Sequence, residues 1–342
     1  VGDASKFFAD TLAQQPELFD EVCQGATLSE PKNLDRMWRR LKEVVVAAIP
    51  AASSSLASET DGTTPEDAAR LWKRSELLRI GIEDVMELVD TEQVHLEMTC
   101  LAEACLRFSL EQARAELRMK RLPFVIIGLG KFGGKELGYG ADLDVLFIGG
   151  KSDADQTQAS KLASRVIDFM SRQTATGKLF VVDARLRPDG ESGPLASTAE
   201  VHRDYYVQRA SLWERQALTK ARFVAGDAGY GEKFIAAVQD IVYGRPLTVD
   251  EAQEIRRMRH RIESERGDQQ HRELEFKTGP GGLIDIEFLI QALQLRHGHA
   301  HPQLRTVHTL AAINRLTSLG LMEEEHASQL RQHYLFLRQI ES

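Results

Sequence analysis

Val125–Phe147 reads VIIGLGKFGGKELGYGADLDVLF, and the spacing of its glycines and acids decides the fold. The run opens just after Pro123 as a short apolar strand and leads into a second one, LDVLFIGG. Gly128-x-Gly130-x-x-Gly133 matches the letters of a dinucleotide-binding fingerprint. That fold needs a full helix between its strands, and a parallel crossover takes roughly a dozen or more residues. Here the second strand begins a few residues after Gly138 and Gly140, so the dinucleotide reading fails on length.

The acids give a better account. Asp142-Leu143-Asp144 starts the second strand, and side chains two apart in a strand share a face. Two adjacent carboxylates repel unless a cation sits between them. Mg²⁺ is a hard cation that joins carboxylates to substrate phosphates. A third acid, Asp183, ends the apolar run LFVV. Three strand-borne acids suit two metals and an in-line phosphoryl or nucleotidyl transfer. Gly133 and Gly134 precede them, where glycine lets backbone amides approach a triphosphate and a helix start adds its dipole. Lys131 and Lys135 add positive charge. Alone, Asp-x-Asp near a turn is more often a solvated or capping pair. The ordered set of strand, Gly-Gly, short helix, Asp-x-Asp and later Asp is much more specific.

Further candidates lie downstream. In VDARLRP, Arg185 and Arg187 alternate with Leu186, so a strand would send both guanidinium forks to one face, where they suit phosphate oxygens. Lys220 and Arg222, in the helical reading of WERQALTKAR, are candidate phosphate contacts. Residues 274–288, LEFKTGPGGLIDIEF, set a glycine loop beside Lys277, to which we assign a functional role. Asp285 and Glu287 do not share a helical face, and Glu287 is expected to anchor its helix by pairing with a basic residue. The run Arg256–Arg266 reads as a solvated helix face. His297, His299 and His301 lack zinc spacing.

Outward from this centre the pattern is helical. Phe7, Phe8, Leu12, Leu18, Phe19 and Val22 fall at helical spacing, and 51–64 (AASSSLASETDGTT) is a flexible break. Thr64-Pro65-Glu66-Asp67 is a helix start, and Asp90 is expected to cap the next helix. Residues 159–174 read as a helix inside the α/β block, KLFVVDARLRP as a third strand, and the chain from about Asp250 as helical again apart from 278–282. The expected fold class is α+β, mostly α. The domains are a helical region at 1–119, an α/β catalytic domain at 120–228 and a C-terminal helical bundle at 229–342.

The 342 residues are 42% hydrophobic and 27% charged, which excludes disorder for most of the chain. A net charge of −8 argues against general nucleic-acid binding, and no apolar run is long enough for a membrane helix. Cys23, Cys100 and Cys105 show no pairing pattern and fit a reducing cytoplasm. There is no signal peptide and no initiator Met, and YLFLRQIES stops in mid-helix pattern, so the chain reads as an excised piece.

In this order GLGKFGGKELGYGADLDVLF, DARLRPDGESGPL, WERQALTKARFVAGD and FKTGPGGLIDIEF resemble glutamine synthetase adenylyltransferase, and the resemblance covers essentially the whole chain. It implies a nucleotidyltransferase sheet of the DNA polymerase beta type. It also implies one half of a long chain whose two homologous halves add AMP to, and remove it from, a tyrosine of glutamine synthetase. The form GYGADLD and the spacing of DAR look more like the AMP-adding, C-terminal half, whereas GESGPL occurs in the removing half as well. Where the family usually has Ser before the first acid, this chain has Gly140-Ala141. By this resemblance Asp142, Asp144 and Asp183 bind Mg²⁺, Asp183 helps activate the tyrosine hydroxyl, and Gly133, Gly134 and nearby cations hold the ATP triphosphate. Glutamine synthetase and the nitrogen-regulatory PII signal protein are the implied partners. A catalytically silent regulatory module is the alternative of a different kind.

Overall fold

Local signals at the chain surface set where the first helices begin. The computed structural model describes residues 31–49, 64–266 and 275–341. Helix α1 (Leu34–Ala48) starts where the Asn33 side chain accepts from the Arg36 amide at 3.0 Å, and it buries Met37, Leu41 and Val45 at intervals of four. Helix α2 (Pro65–Val85) starts as expected, with Thr64 accepting from the Asp67 amide at 3.1 Å and Pro65 in the first turn. Asp90 caps α3 (Thr91–Glu116) through the Gln93 amide at 2.8 Å. The three helices pack on one another. The helices expected at Phe7–Val22, the break over 51–63 and Cys23 lie outside the described residues.

The chain forms two units. Unit 1 ends its first stretch at Arg121 and also takes in Leu137–Leu143 and Lys161–Asp183; unit 2 is made of Leu122–Glu136, Asp144–Ser160 and the chain from Ala184 on. At the centre of unit 2 is strand β1 (Phe124–Gly128), buried at every position. It is flanked on both edges, which is why its sequence is unbroken apolar rather than alternating. Strand β2 (Leu143–Gly149) pairs antiparallel with it, from Phe124 opposite Gly149 to Gly128 opposite Val145. Antiparallel pairing is what the short connection required, and it excludes the dinucleotide crossover. Five strands make up the mixed sheet.

Helix α4 (Gly130–Gly133) is a single turn at the glycines, and α5 (Asp153–Ser171) follows β2, beginning earlier than the sequence reading placed it. The third strand is shorter than expected: β3 is Val182–Asp183. Beyond it the chain turns at Pro188, Asp189 (φ 59°) and Gly190 (φ 56°), so Arg185 and Arg187 do not lie on a strand. Strand β4 (Ala196–Ser197) runs parallel to β2, followed by α6 (Ala199–Gln208) and α7 (Leu212–Ala217). Arg222 is not helical either. It opens β5 (Arg222–Gly226), which pairs antiparallel with the other edge of β1 and shifts register between Ile126 and Ile127. The run Phe223-Val224 before a glycine at φ +105° was the strand signal there.

Helices α8 (Ala228–Tyr243), α9 (Val249–Arg266), α10 (Leu283–His297), α11 (Thr309–Ser318) and α12 (Glu324–Glu341) complete unit 2. Phe234, Val238 and Val242 of α8 bury a face against Val125 and Ile127 of β1 and Leu146 and Ile148 of β2. A second core joins Leu283, Ile286 and Ile290 of α10 to Ile313 and Leu316 of α11 and Tyr334 of α12. No described helix is long and apolar enough to cross a membrane.

Candidate active site

The turn after β1 is built around Asp144. The Leu129 amide donates to the Asp144 carbonyl at 2.8 Å, which brings the turn alongside the start of β2. Gly130 has φ +52°, and a Cβ there would sit 2.3 Å from Oδ2 of Asp144. A side chain is therefore excluded twice, by the left-handed backbone and by the carboxylate that occupies the space. The sequence reading used Gly130 only as a letter of the dinucleotide pattern; its structural role is to admit the Asp144 carboxylate. The signal was the distance from Gly130 to Asp144 in a connection too short for a crossover.

Gly133 and Gly134 are glycines for a different reason. A Cβ on Gly133 would meet the Lys220 carbonyl at 2.2 Å, and one on Gly134 would meet Oε2 of Glu136 at 2.7 Å. Both residues are buried, and their amides donate to the carbonyls of Leu129 (2.7 Å) and Gly130 (3.0 Å) within the turn. Their smallness serves close packing of the turn on the Leu218–Lys220 segment.

The basic candidates divide sharply. Lys220 is only 5% exposed, and its ammonium donates to Oε2 of Glu136 at 2.8 Å and to the Thr309 hydroxyl at 2.7 Å. Lys131 pairs with Glu341, and Lys277 reaches the same carboxylate at 3.3 Å. Burial, reinforced by Arg338 nearby, pushes the Lys131 ammonium down despite Glu341. Arg187 donates to the carbonyls of Ala184, Glu191 and Gly193 and closes its own loop. Arg222 donates to the carbonyls of Phe132 and Gly133 and lies over the Phe132 ring. Lys135, at φ 61°, Arg185 and Lys277 are the exposed members of the set.

Asp142 and Asp183 belong to unit 1. Asp142 is exposed and Asp183 half-buried in β3. The segment leading to Asp142 is tied down along its length. The Leu137 amide donates to Thr99 Oγ1 at 3.2 Å, the Tyr139 hydroxyl to Asp84 Oδ2 at 3.0 Å, and the Leu143 amide to the Val181 carbonyl at 2.9 Å. The last bond sets the residue after Asp142 beside the lead into β3. Burial raises the Asp84 carboxyl, and the Tyr139 hydroxyl opposes the shift.

Other expectations resolve locally. Asp285, rather than Glu287, pairs with a basic residue: Arg259 donates to it at 2.5 Å. Arg259 is buried, so the run 256–266 is not solvated throughout. Glu287 is half-buried with its Oε1 enclosed, and desolvation pushes its carboxyl up, against the pull of Lys131 and Lys220. Burial also lifts the Cys105 thiol to about 12, which makes it an inert core group.

Among the described residues no three His, Cys, Asp or Glu side chains form a ready metal-ligand group. Asp144 projects into the cradle that a Cβ on Gly130 would fill, and its carboxylate offers the oxygen donors that a hard divalent ion prefers.

Residues 1–237 match the family model of glutamate-ammonia ligase adenylyltransferase, and residues 250–342 match that of GlnD PII-uridylyltransferase. Similar proteins include bifunctional glutamine synthetase adenylyltransferase/adenylyl-removing enzymes of Streptomyces coelicolor, Streptomyces avermitilis and Mycobacterium leprae. They are 35%, 36% and 34% identical over 99%, 99% and 97% of the chain. The alignments cover 33%, 32% and 33% of those proteins, so the chain spans about a third of the length of the curated relatives it matches.

Proposed function

Because the chain belongs to the glutamate-ammonia ligase adenylyltransferase family, we propose that it transfers AMP from ATP to a tyrosine of glutamine synthetase and so inactivates it. Asp142, Asp144 and Asp183 supply the carboxylates of the reaction. The observation that carries this reading is the pairing of Gly130 with Asp144, in which backbone conformation and side-chain space are both given over to one carboxylate at the start of β2.

In the proposed reaction the tyrosine oxygen forms a bond to the α-phosphorus of ATP. The bond from that phosphorus to the bridging oxygen breaks, and pyrophosphate leaves with the electron pair. The hydroxyl proton passes to the Asp183 carboxylate and then to solvent. The same three acids would hold Mg²⁺, which when bound neutralises charge on the phosphate oxygens. Lys135 and Arg185, both exposed, are the cations proposed for the triphosphate. The nitrogen-regulatory PII signal protein is a proposed partner, supported by the match of residues 250–342, and the proposed compartment is the cytoplasm.

The names of the relatives join two activities, so the direction needs its own test. With unmodified glutamine synthetase and ATP labelled in the α-phosphate, transfer of label to the synthetase supports addition. With adenylylated synthetase and inorganic phosphate, release of ADP assigns the removing reaction instead. Binding of the synthetase with neither product would leave a silent regulatory module and overturn the proposal.

A further inference from the structure

Glu136 is the last residue of unit 2 before the chain passes to the Asp142 segment, and it is 3% exposed. Each of its acceptors is taken by a residue far along the chain. Oε2 accepts from Lys220 at 2.8 Å, Oε1 from the Thr309 amide at 2.6 Å, and its carbonyl from Arg338. Lys220 also donates to the Thr309 hydroxyl, which closes a ring of three residues. Burial raises the Glu136 carboxyl, but Lys220, His308 and the Thr309 amide together bring it below the usual carboxylate range, so it is held as an anion. Next to it, Arg338 pairs with Glu341, and Glu341 pairs with Lys131 inside the glycine turn.

These bonds join α11 and α12 to the turn that admits Asp144. Gly134 would carry a Cβ 2.7 Å from Oε2 of Glu136 and 3.1 Å from Nζ of Lys220, so the turn is fitted closely to the ion pair. The Gly134 amide in turn bonds to the carbonyl of Gly130, the residue whose missing side chain leaves room for the Asp144 carboxylate. A chain of direct contacts therefore runs from Thr309 and Arg338 through Glu136 and Gly134 to Gly130 and Asp144. A surface role for Lys220 would have needed none of this. A purely packing role would not need an ionised carboxylate, since a buried ion pair adds little net stability over an apolar pair of the same shape.

We propose that Glu136 is a positioning residue for the reaction: clamped by Lys220, Thr309 and Arg338, it fixes the 129–134 turn and with it the Asp144 carboxylate, so that helices α11 and α12 are part of the support of the active site. This rests on the catalytic reading of Asp144. Misplacing a reacting group by about 1 Å is enough to cost about a hundredfold in rate.

The test uses Glu136→Gln, which keeps an acceptor for the Thr309 amide but removes the charge, and Arg338→Met, which removes the bond to the carbonyl. Each is read by amide hydrogen exchange over 129–134, by kcat and KM for ATP in AMP transfer to glutamine synthetase, and by thermal melting. Both variants are expected to speed exchange at Leu129, Gly133 and Gly134 and to lower kcat by roughly tenfold or more, with KM for ATP changed little. Lower melting temperature with unchanged exchange over 129–134 and unchanged kcat per folded molecule would overturn the proposal. Asp144→Asn separates the two readings: it should abolish transfer and leave exchange at 129–134 as in the parent. If Asp144→Asn still transfers AMP, the catalytic reading has failed, and with it the positioning role, whereas the exchange data still report whether the clamp exists.

Discussion

Each unit buries a network of charges, and the two are wired differently. In unit 1, Arg79 donates to Glu76 at 3.0 Å, to Glu83 at 2.6 Å and to Glu97, residues three, four and eighteen positions away, and Lys32 joins Glu76 at 2.7 Å. Half of this network, the bonds from Arg79 to Glu76 and Glu83, follows helical spacing along α2. In unit 2, the partners of Glu136 are 84, 173 and 202 positions away. The first network fastens neighbouring helices to each other. The second fastens the beginning of the α/β sheet to the end of the described chain. Local wiring points to stability, and long-range wiring at a glycine turn points to placement of a side chain.

The strongest way to break this contrast is to remove the cation from each network. Arg79→Met leaves Glu83 and Glu97 buried without their guanidinium and should cost about 3–5 kcal/mol. Lys220→Met leaves Glu136 with the Thr309 amide as its remaining side-chain partner and should cost about 3 kcal/mol. Denaturant unfolding measures both. Activity per folded molecule should separate them, staying at the parent value for Arg79→Met and falling for Lys220→Met. Equal activity in the two would erase the distinction.

A smaller effect on stability sharpens the second network. Gly130→Ala forces a left-handed alanine and places a methyl group 2.3 Å from the present position of Asp144 Oδ2. It should destabilise by about 1–3 kcal/mol yet lose transfer activity by more than roughly tenfold, because the carboxylate must move. A variant that unfolds earlier but transfers AMP normally would show that the cradle is packing alone.

The smallest effect belongs to a pair at the surface. Glu251 accepts from Arg245 and from the Thr248 amide, and these bonds, the Arg245 one foremost, hold its carboxyl at about 2 against the push from burial. Its folded value lies below its unfolded one, so its contribution is complete above the usual carboxylate range and is lost as the pH falls from about 5 towards 2. Glu251→Gln should flatten the stability profile over that window, by under about 1 kcal/mol because Arg245 is solvated. A profile unchanged from the parent would sink that assignment.

What the sequence disclosed follows the same division between near and far. Thr64 and Asp90 could be read as caps because a cap and the amide it accepts from are three residues apart. The antiparallel pairing of β1 and β2 could be read because chain length alone forbids a crossover. Lys220 and Arg187 looked like phosphate ligands because the linear string shows their charge but not the acceptors around them. Lys220 meets a carboxylate 84 positions away, and Arg187 meets carbonyls in a turn that the strand reading had straightened. Gly130 was legible only as a pattern, since its reason for being glycine is the Asp144 side chain across the turn. The β5 strand was hidden by its position straight after the helix and 3₁₀ turn that carry Trp213–Lys220.

The central claim is that the Asp144 carboxylate beside Gly130 serves AMP transfer. It is tested most directly by following the α-phosphate label from ATP to glutamine synthetase with the parent chain and with Asp144→Asn, each shown by circular dichroism and thermal melting to be folded. We predict that the parent labels the synthetase and that Asp144→Asn lowers the rate by at least roughly a hundredfold, the loss of several kcal/mol of transition-state stabilisation. Labelling by a folded Asp144→Asn chain at the parent rate would contradict the account.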